Sequence, residues 1–118
     1  MLPKAVSGYN FEASQKNKVR IIIGPTCSSN VLSIAPLANE EKIIILTTVA
    51  STPKISTAGD YVFRNTPSGE LYSYYIAEFA YNNLSIKNAS VLYLNLDNGI
   101  DFKDAFSKKF TELGGNVL

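Results

Sequence analysis

The chain has 118 residues, enough for one compact core but too few for two complete domains. Its 46% hydrophobic and 18% charged residues are typical of a globular protein. Eleven basic and ten acidic residues leave a net charge of +1 without a basic cluster, which argues against nucleic-acid binding. No apolar run approaches the roughly 20 residues that span a bilayer, and no signal segment is recognisable. We therefore expect a soluble chain.

Two absences remove much catalytic chemistry. Because the chain has no histidine, it cannot assemble Ser-His-Asp or Cys-His sites, nor a histidine-based zinc site. The single cysteine, Cys27, excludes an internal disulfide and a CxxC motif. Since no base lies near it in sequence, we expect Cys27 to be a buried, inert thiol.

The first half of the chain has the pattern of a parallel α/β sheet. Residues 1–19 resemble a helix that no strand precedes. Segments 19–23 (VRIII) and 42–46 (KIIIL) are short, continuous and β-branched, which predicts strands buried on both faces by flanking helices. A third strand is expected at 61–64 (YVFR). The predicted fold class is α/β, with a parallel sheet and flanking helices.

A helix is expected between the first two strands. Residues 30–41 carry apolar side chains at helical spacing. Ser28 or Ser29 would be its N-cap, and Pro36 should bend it or loosen its middle. The resulting βαβ unit should have the usual right-handed crossover.

The sequence RNTPSGE, residues 64–70, interrupts this pattern and is the plausible boundary between two parts, 1–66 and 67–118. A second helix is expected over residues 71–84. Its apolar face is most simply explained as core packing. That face consists of Leu71, Tyr75, Ile76 and Phe79.

The last third of the chain predicts a strand, a turn and a helix. Residues 89–96 (ASVLYLNL) are expected to form the strand, and 97–101 (DNGID) the turn. Residues 102–113 should form an amphipathic helix with phenylalanines at positions i, i+4 and i+8. Gly114 and its neighbour would end it, and 116–118 would begin another strand. Both ends of the chain therefore look cut from a longer α/β polypeptide.

Two polar loops follow the first two strands, at the edge where open parallel sheets bind ligands. In the first, 24–29 (GPTCSS), the amides near Ser29 and the Ser28 hydroxyl could bind a carboxylate at the helix N-terminus. In the second, 47–53 (TTVASTP), carbonyls and hydroxyls could accept from an ammonium group. The alternative is that the serines merely cap the helix and the other hydroxyls form turns. The hydroxyls of the second loop belong to Thr47, Thr48, Ser51 and Thr52.

The order of these features resembles the type I periplasmic binding proteins of the Leu/Ile/Val-binding family. The resemblance covers VRIIIGPTCSSNVLSIAPLANEEKIIILTTVASTPKISTAGDYVFRNTPS, residues 19–68, and continues through ASVLYLNLDNGIDFKDAFSKKFTELGGNV, residues 89–117. It implies a Venus-flytrap of two α/β lobes, with 1–66 in the first lobe and 67–118 in the second. It also implies an extracytoplasmic receptor that binds a branched-chain amino acid and delivers it to an ABC-transporter membrane permease, without catalysis or cofactor.

The resemblance assigns the ligand-binding residues as well. Ser28 matches the serine that binds the ligand carboxylate, Val49 a residue that contributes backbone contacts, and Ser51 a hydroxyl partner of the amino acid. Ala50 and Thr52 flank these positions, and Ser29 lies beside Ser28.

Two other functions remain open from the sequence. One is a ligand-sensing domain of a receptor or regulator with the same fold. The other is a small flavodoxin-like enzyme or phosphoacceptor domain. A phosphoacceptor domain should have clustered acidic residues after its first strand and a lysine after its last, and neither is evident here.

Overall fold

The computed structural model describes residues 18–118 together with Val6 and Tyr9. The chain divides into two compact units, with the boundary between Thr66 and Pro67. The helix expected at residues 1–19 lies almost entirely outside the described residues.

The first unit contains a three-stranded parallel sheet, which confirms the predicted α/β class. In chain order its elements are β1 (Ile21–Ile23), α1 (Ser28–Glu41), β2 (Ile44–Thr47), a short 3-10 helix (Pro53–Thr57) and β3 (Val62–Arg64). The strand order is β1-β2-β3, so β2 is central. The three predicted strands are therefore present and neighbouring, each shorter than the sequence pattern suggested.

The core of the first unit lies on one face of this sheet. Ile22, Ile45 and Val62 are aligned across the three strands and direct their side chains into that core. Their side chains pack with the apolar stripe of α1. Burial of this kind contributes roughly 25 cal/mol per Å² of apolar surface and is the main source of the unit's stability. The buried residues of the stripe are Val31, Ile34, Ala35 and Ala38.

The other face of the sheet is open, so the prediction of strands buried on both faces is wrong for this chain. Ile21, Ile23 and Phe63 are 58%, 76% and 51% exposed. Successive strand residues point to opposite faces, and α1 covers only the face that carries Ile45. Burial of the second face would require another layer besides the elements described in residues 18–66.

Helix α1 begins differently from the expectation. Its N-cap is Cys27, which has an extended backbone and makes no side-chain cap, so the prediction of Ser28 or Ser29 as the cap is wrong. Cys27 is also exposed, which overturns the expectation of a buried thiol. The helix continues without interruption through Pro36 to its C-cap, Lys42.

Asn39 connects α1 to the approach to β3. Its Nδ2 donates to the carbonyl oxygens of Ala35 and Ala58 at 2.7 and 2.9 Å, and its Oδ1 accepts from the Tyr61 N–H at 3.2 Å. Gly59 has φ +123 and passes so close that a Cβ there would lie 2.2 Å from the Asn39 amide atoms. One half-buried side chain therefore fixes the turn that leads into β3.

The second unit is built around two helices. Its elements are α2 (Gly69–Glu78), a π-helical turn (Phe79–Asn83), β4 (Asn88–Ala89), α3 (Asp97–Glu112) and β5 (Asn116–Val117). Strands β4 and β5 form a two-stranded parallel pair.

The expected strand over residues 89–96 is wrong beyond Ala89, because β4 ends there. A strand extends only as far as a neighbouring backbone can pair with it, and β5 offers two residues. The expected turn at 97–101 is also wrong, since these residues form the first turn of α3. Asp97 stands in that turn, where its charge favours the positive end of the helix dipole.

The buried face of α2 is not the predicted apolar stripe. Tyr75 is 64% exposed, and Leu71, Ile76 and Phe79 are exposed as well. The buried residues are instead the small ones, Gly69, Ser73 and Ala77, which recur every fourth position. The assignment of the aromatic stripe to the core of this chain is therefore wrong.

Small residues bring α2 and α3 close together. The Ser73 Oγ donates to the Phe102 carbonyl oxygen at 3.1 Å. A Cβ on Gly69 would lie 2.3 Å from the Phe102 ring. Phe110 of α3 is fully buried and stacks on Phe106 at a centroid distance of 5.2 Å. The predicted phenylalanine face of this helix is thus confirmed as a packing surface.

The end of α3 matches the expectation. Gly114 has φ +95, a conformation that favours glycine, and its N–H donates to the Thr111 carbonyl. The Gly115 N–H donates to the Phe110 carbonyl at 2.9 Å, so the glycine pair ends the helix. The chain then enters β5, as predicted.

Candidate ligand-binding site

Two loops leave the carboxyl ends of neighbouring parallel strands in the first unit. Loop 24–27 follows β1, and loop 48–52 follows β2. The Gly24 N–H donates to the Leu46 carbonyl at 2.8 Å, which extends the β1-β2 pairing to the loop. Gly24 itself has φ +119, and the Gly24-Pro25 peptide bond is cis. The sheet therefore brings the two predicted polar loops side by side.

Thr47, the last residue of β2, joins the loops to each other. Its fully buried side chain donates from Oγ1 to the Pro25 carbonyl at 2.7 Å and accepts from the Ala50 N–H at 3.3 Å. Thr47 was one of the hydroxyls that the sequence offered to a ligand. In the structure the Thr47 hydroxyl donates and accepts hydrogen bonds within the protein instead, so Thr47 braces the two loops.

Ser28 forms a second connection between the loops. It is buried in the first turn of α1, and its Oγ accepts from the Thr52 N–H at 3.4 Å. A serine hydroxyl that accepts a hydrogen bond keeps its own O–H to donate. Ser28 is also the first residue of α1, at the positive end of the helix dipole. Ser28 is therefore suited to donate a hydrogen bond to a negatively charged group.

The remaining predicted site residues differ in accessibility. Ser29 and Val49 are exposed, Val49 by 61%. Ala50 and Thr52 are buried, and Ser51 is half-buried. The structure thus joins Ser28 to Thr52 through a hydrogen bond, places Ala50 in the interior and leaves Ser29 and Val49 on the surface.

Sequence reasoning missed Arg64, the last residue of β3. Its Nη1 donates to the carbonyl oxygens of Thr52 at 2.8 Å and Ser51 at 3.5 Å, and its Nη2 donates to Ser56 Oγ at 2.7 Å. The sequence showed only that an arginine ends the predicted strand 61–64, and the strand pairing of the structure places it directly opposite Thr47. The guanidinium holds the loop that follows β2.

The second unit has a cavity of about 460 Å³ between segment 90–94 and α3. It lies where the predicted strand fails to form. On its rim the Lys103 Nζ is 5.3 Å from the centre of the Tyr93 ring. Lys103 forms an ion pair with Asp104, and this hydrogen bond raises the pKa of Lys103. Other lining residues include Leu92, Asn98, Phe102 and Phe106.

Among residues 18–118, no group of acidic or thiol side chains has the arrangement of a metal site. None of the helices described in that range is long and apolar enough to cross a membrane.

Comparison with known proteins identifies similar chains. The family model described as "Receptor family ligand binding region" matches residues 4–118. A leucine-binding protein from Thermotoga maritima is 33% identical, with a TM-score of 0.87 over 98% of this chain and 33% of that one. No curated protein matches significantly.

Two solute-binding proteins of ABC transporters from Rhodopseudomonas palustris are also similar. One, crystallised with 3,4-dihydroxybenzoic acid, is 26% identical, with a TM-score of 0.84 over 97% of this chain and 30% of that one. The other, crystallised with p-hydroxybenzoic acid, is 24% identical, with a TM-score of 0.92 over 99% of this chain and 31% of that one, and supports the fold alone. The chain thus spans about a third of the length of these structures.

Proposed function

The chain belongs to the family of receptor ligand-binding regions, and we propose that its first unit forms one wall of a site for a small solute that carries a carboxylate. Its fold matches one part of the type I periplasmic-binding-protein fold. We assign residues 1–66 to part of one lobe and residues 67–118 to part of another.

One observation carries this proposal. Ser28 is buried in the first turn of α1, at the carboxyl edge of the sheet, and its hydroxyl accepts from the backbone of the neighbouring loop. The O–H of Ser28 is a donor at the N-terminal end of α1, where the helix dipole is positive. A hydroxyl donor beside a helix N-terminus favours a carboxylate over a neutral or cationic group.

We infer that the solute is an amino acid of the branched-chain type. A similar chain is described as a leucine-binding protein. The carbonyls and hydroxyls of loop 48–52 offer acceptors for an ammonium group. In this proposal the ligand contacts come from both loops, and the protein delivers the solute outside the cytoplasm to an ABC-transporter permease. The proposed contact residues are Ser28, Ser29, Val49, Ala50, Ser51 and Thr52.

A ligand-sensing role is the second candidate, because the matching family model describes receptors. The site would be the same, and only the downstream partner would differ. A signalling or membrane-spanning module encoded in the same polypeptide would favour sensing, whereas neighbouring permease genes would favour import.

Calorimetric titration of the full-length protein tests the solute class. The panel would contain leucine, isoleucine, valine, 4-hydroxybenzoate and glucose. We expect binding of at least one branched-chain amino acid and none of glucose. Binding of 4-hydroxybenzoate alone would retain the carboxylate site and reject the amino acid, whereas binding of glucose alone would reject both.

Replacement of one hydroxyl tests the site itself. In the full-length protein, Ser28→Ala should weaken binding by about 1 to 3 kcal/mol if the hydroxyl meets a buried carboxylate. Ser33→Ala is the matched control, because Ser33 lies on the same helix and donates only to the Asn30 carbonyl. Lower stability with unchanged affinity in Ser28→Ala would show that this serine serves the loops and not the ligand.

A further inference from the structure

We propose that Arg64 is a positioning residue: it sets the orientation of the peptide groups in loop 48–52 and thereby the affinity of the ligand site. This inference rests on the function proposed above.

The sheet places Arg64 beneath the loop. Arg64 is paired in register with Thr47 at the carboxyl end of β3. Residues directly opposite each other on paired strands lie on the same face of a sheet. Both braces of the loop therefore come from one row of the sheet, one on β2 and the other on β3.

The hydrogen bonds of Arg64 define a peptide plane. The carbonyl of Ser51 and the N–H of Thr52 belong to one planar peptide group and point in opposite directions. Arg64 Nη1 donates to that carbonyl at 3.5 Å, and the N–H donates to Ser28 Oγ at 3.4 Å. Each bond is long and weak alone, but together they restrain the rotation of the group about the chain.

The next peptide group is held more firmly. Arg64 Nη1 donates to the Thr52 carbonyl at 2.8 Å, while Nη2 donates to Ser56 Oγ at 2.7 Å. The guanidinium is a rigid planar fork, so acceptors on two segments fix its position. It can therefore hold two consecutive carbonyls at once, which a single lysine ammonium on a flexible stem does poorly.

This arrangement connects Arg64 to the ligand through Ser28. If the peptide between Ser51 and Thr52 turns, the Ser28 hydroxyl loses its donor, and its own O–H is free to rotate. A donor that must be ordered when the ligand binds contributes less affinity than one already in place. Arg64 thus affects ligand binding indirectly, through the orientation of the Ser28 hydroxyl.

The test uses the full-length protein and leucine as the probe. Arg64→Lys keeps the charge but removes the fork, and Arg64→Met removes both. Thr57→Ala is the matched control, because Thr57 lies in the same 3-10 helix as Ser56 but its hydroxyl donates to the Lys54 carbonyl and not to the partners of Arg64. We measure leucine affinity by calorimetry, and amide hydrogen exchange of residues 49–52 in the absence of ligand.

We expect Arg64→Lys and Arg64→Met each to weaken leucine binding at least tenfold and to accelerate exchange in residues 49–52. Exchange in α1 and β2 should stay unchanged, which separates loop disorder from unfolding. Thr57→Ala should change affinity less than twofold. Wild-type affinity in Arg64→Lys would overturn the proposal, since charge alone would then suffice.

Two further outcomes separate this proposal from the function on which it rests. Faster loop exchange with unchanged leucine affinity would overturn the positioning role while the ligand assignment stands. If the wild-type protein binds no leucine, the solute assignment fails, and the exchange experiment alone decides whether Arg64 orders the loop. Unchanged exchange in both variants would overturn the proposal in either case.

Discussion

The two units of the chain bury different kinds of side chain at their critical contacts. In the first unit, polar side chains such as Asn39 and Thr47 make directed hydrogen bonds to the backbone of neighbouring segments. In the second unit, Ser73 and Ala77 are buried on α2 chiefly because they are small, while Tyr75 is exposed. Directed hydrogen bonds therefore fix how the segments of the first unit pack, whereas the short distance between the helices selects the buried side chains of the second.

The largest effect that would test this contrast is expected at Asn39. Asn39→Ala removes the side-chain partner of the Ala58 carbonyl and the Tyr61 N–H, and a backbone group left without a partner is costly. We expect a loss of about 3 kcal/mol in the free energy of unfolding, measured by urea denaturation. The neighbouring exposed residue provides the control, as Glu40→Ala should change stability by less than about 0.5 kcal/mol. Equal effects in both variants would remove Asn39 from this role.

A smaller effect is expected from enlarging a residue between the helices. Ser73→Leu forces α2 away from Phe102, because the side chain is buried against that segment. Overpacking of this kind should destabilise the chain by about 2 kcal/mol. Tyr75→Ser on the same helix should cost less than about 0.5 kcal/mol in this chain, since Tyr75 is mostly exposed. A reversed order in thermal unfolding would show that the aromatic stripe is the packed face.

The smallest effect concerns the two adjacent threonines at the end of β2. Thr47→Val keeps the shape of the buried side chain but leaves the Pro25 carbonyl and the Ala50 N–H without their partner. We expect a loss of about 1.5 kcal/mol in unfolding free energy. Thr48 is exposed, so Thr48→Val should be nearly neutral. A neutral Thr47→Val would mean that the loops are held together by the sheet alone.

The apolar pattern of the sequence predicted the first unit well. The runs at residues 19–23 and 42–46 and the helix between them gave the parallel β1-α1-β2 arrangement, because strand and helix periods are local properties. The apolar pattern alone overestimated the burial of the strands, because a continuous apolar run predicts a strand that is covered on both faces. Residues 18–66 supply the cover for only one of them.

The second unit was predicted less well for two physical reasons. The strand at residues 89–96 depends on a partner, and β5 pairs with only two of its residues. Which face of α2 is buried depends on how closely α3 approaches. Small residues permit a close approach, and a pattern of hydrophobic residues does not predict it. Both quantities are set by tertiary contacts and not by local sequence.

For the candidate site, the sequence predicted that the two polar loops follow neighbouring strands, as they do, but it did not predict the hydrogen bonds of their side chains. Ser28 and Thr52 were predicted as site residues, and the structure joins them by a hydrogen bond. Thr47 and Arg64 brace the loops, and only the pairing register of β2 and β3 brings them opposite each other. Whether Ser28 and its neighbours bind a ligand stays a prediction.

The pairing of Thr47 with Arg64 has a consequence for folding. A slip of one residue between β2 and β3 would turn one brace to the other side of the sheet. A chain with that slip could still bury many apolar side chains, but its two loops would have no common support. Under the proposed function, ligand binding would require the correct strand alignment, and a ligand would stabilise the correctly aligned chain during folding.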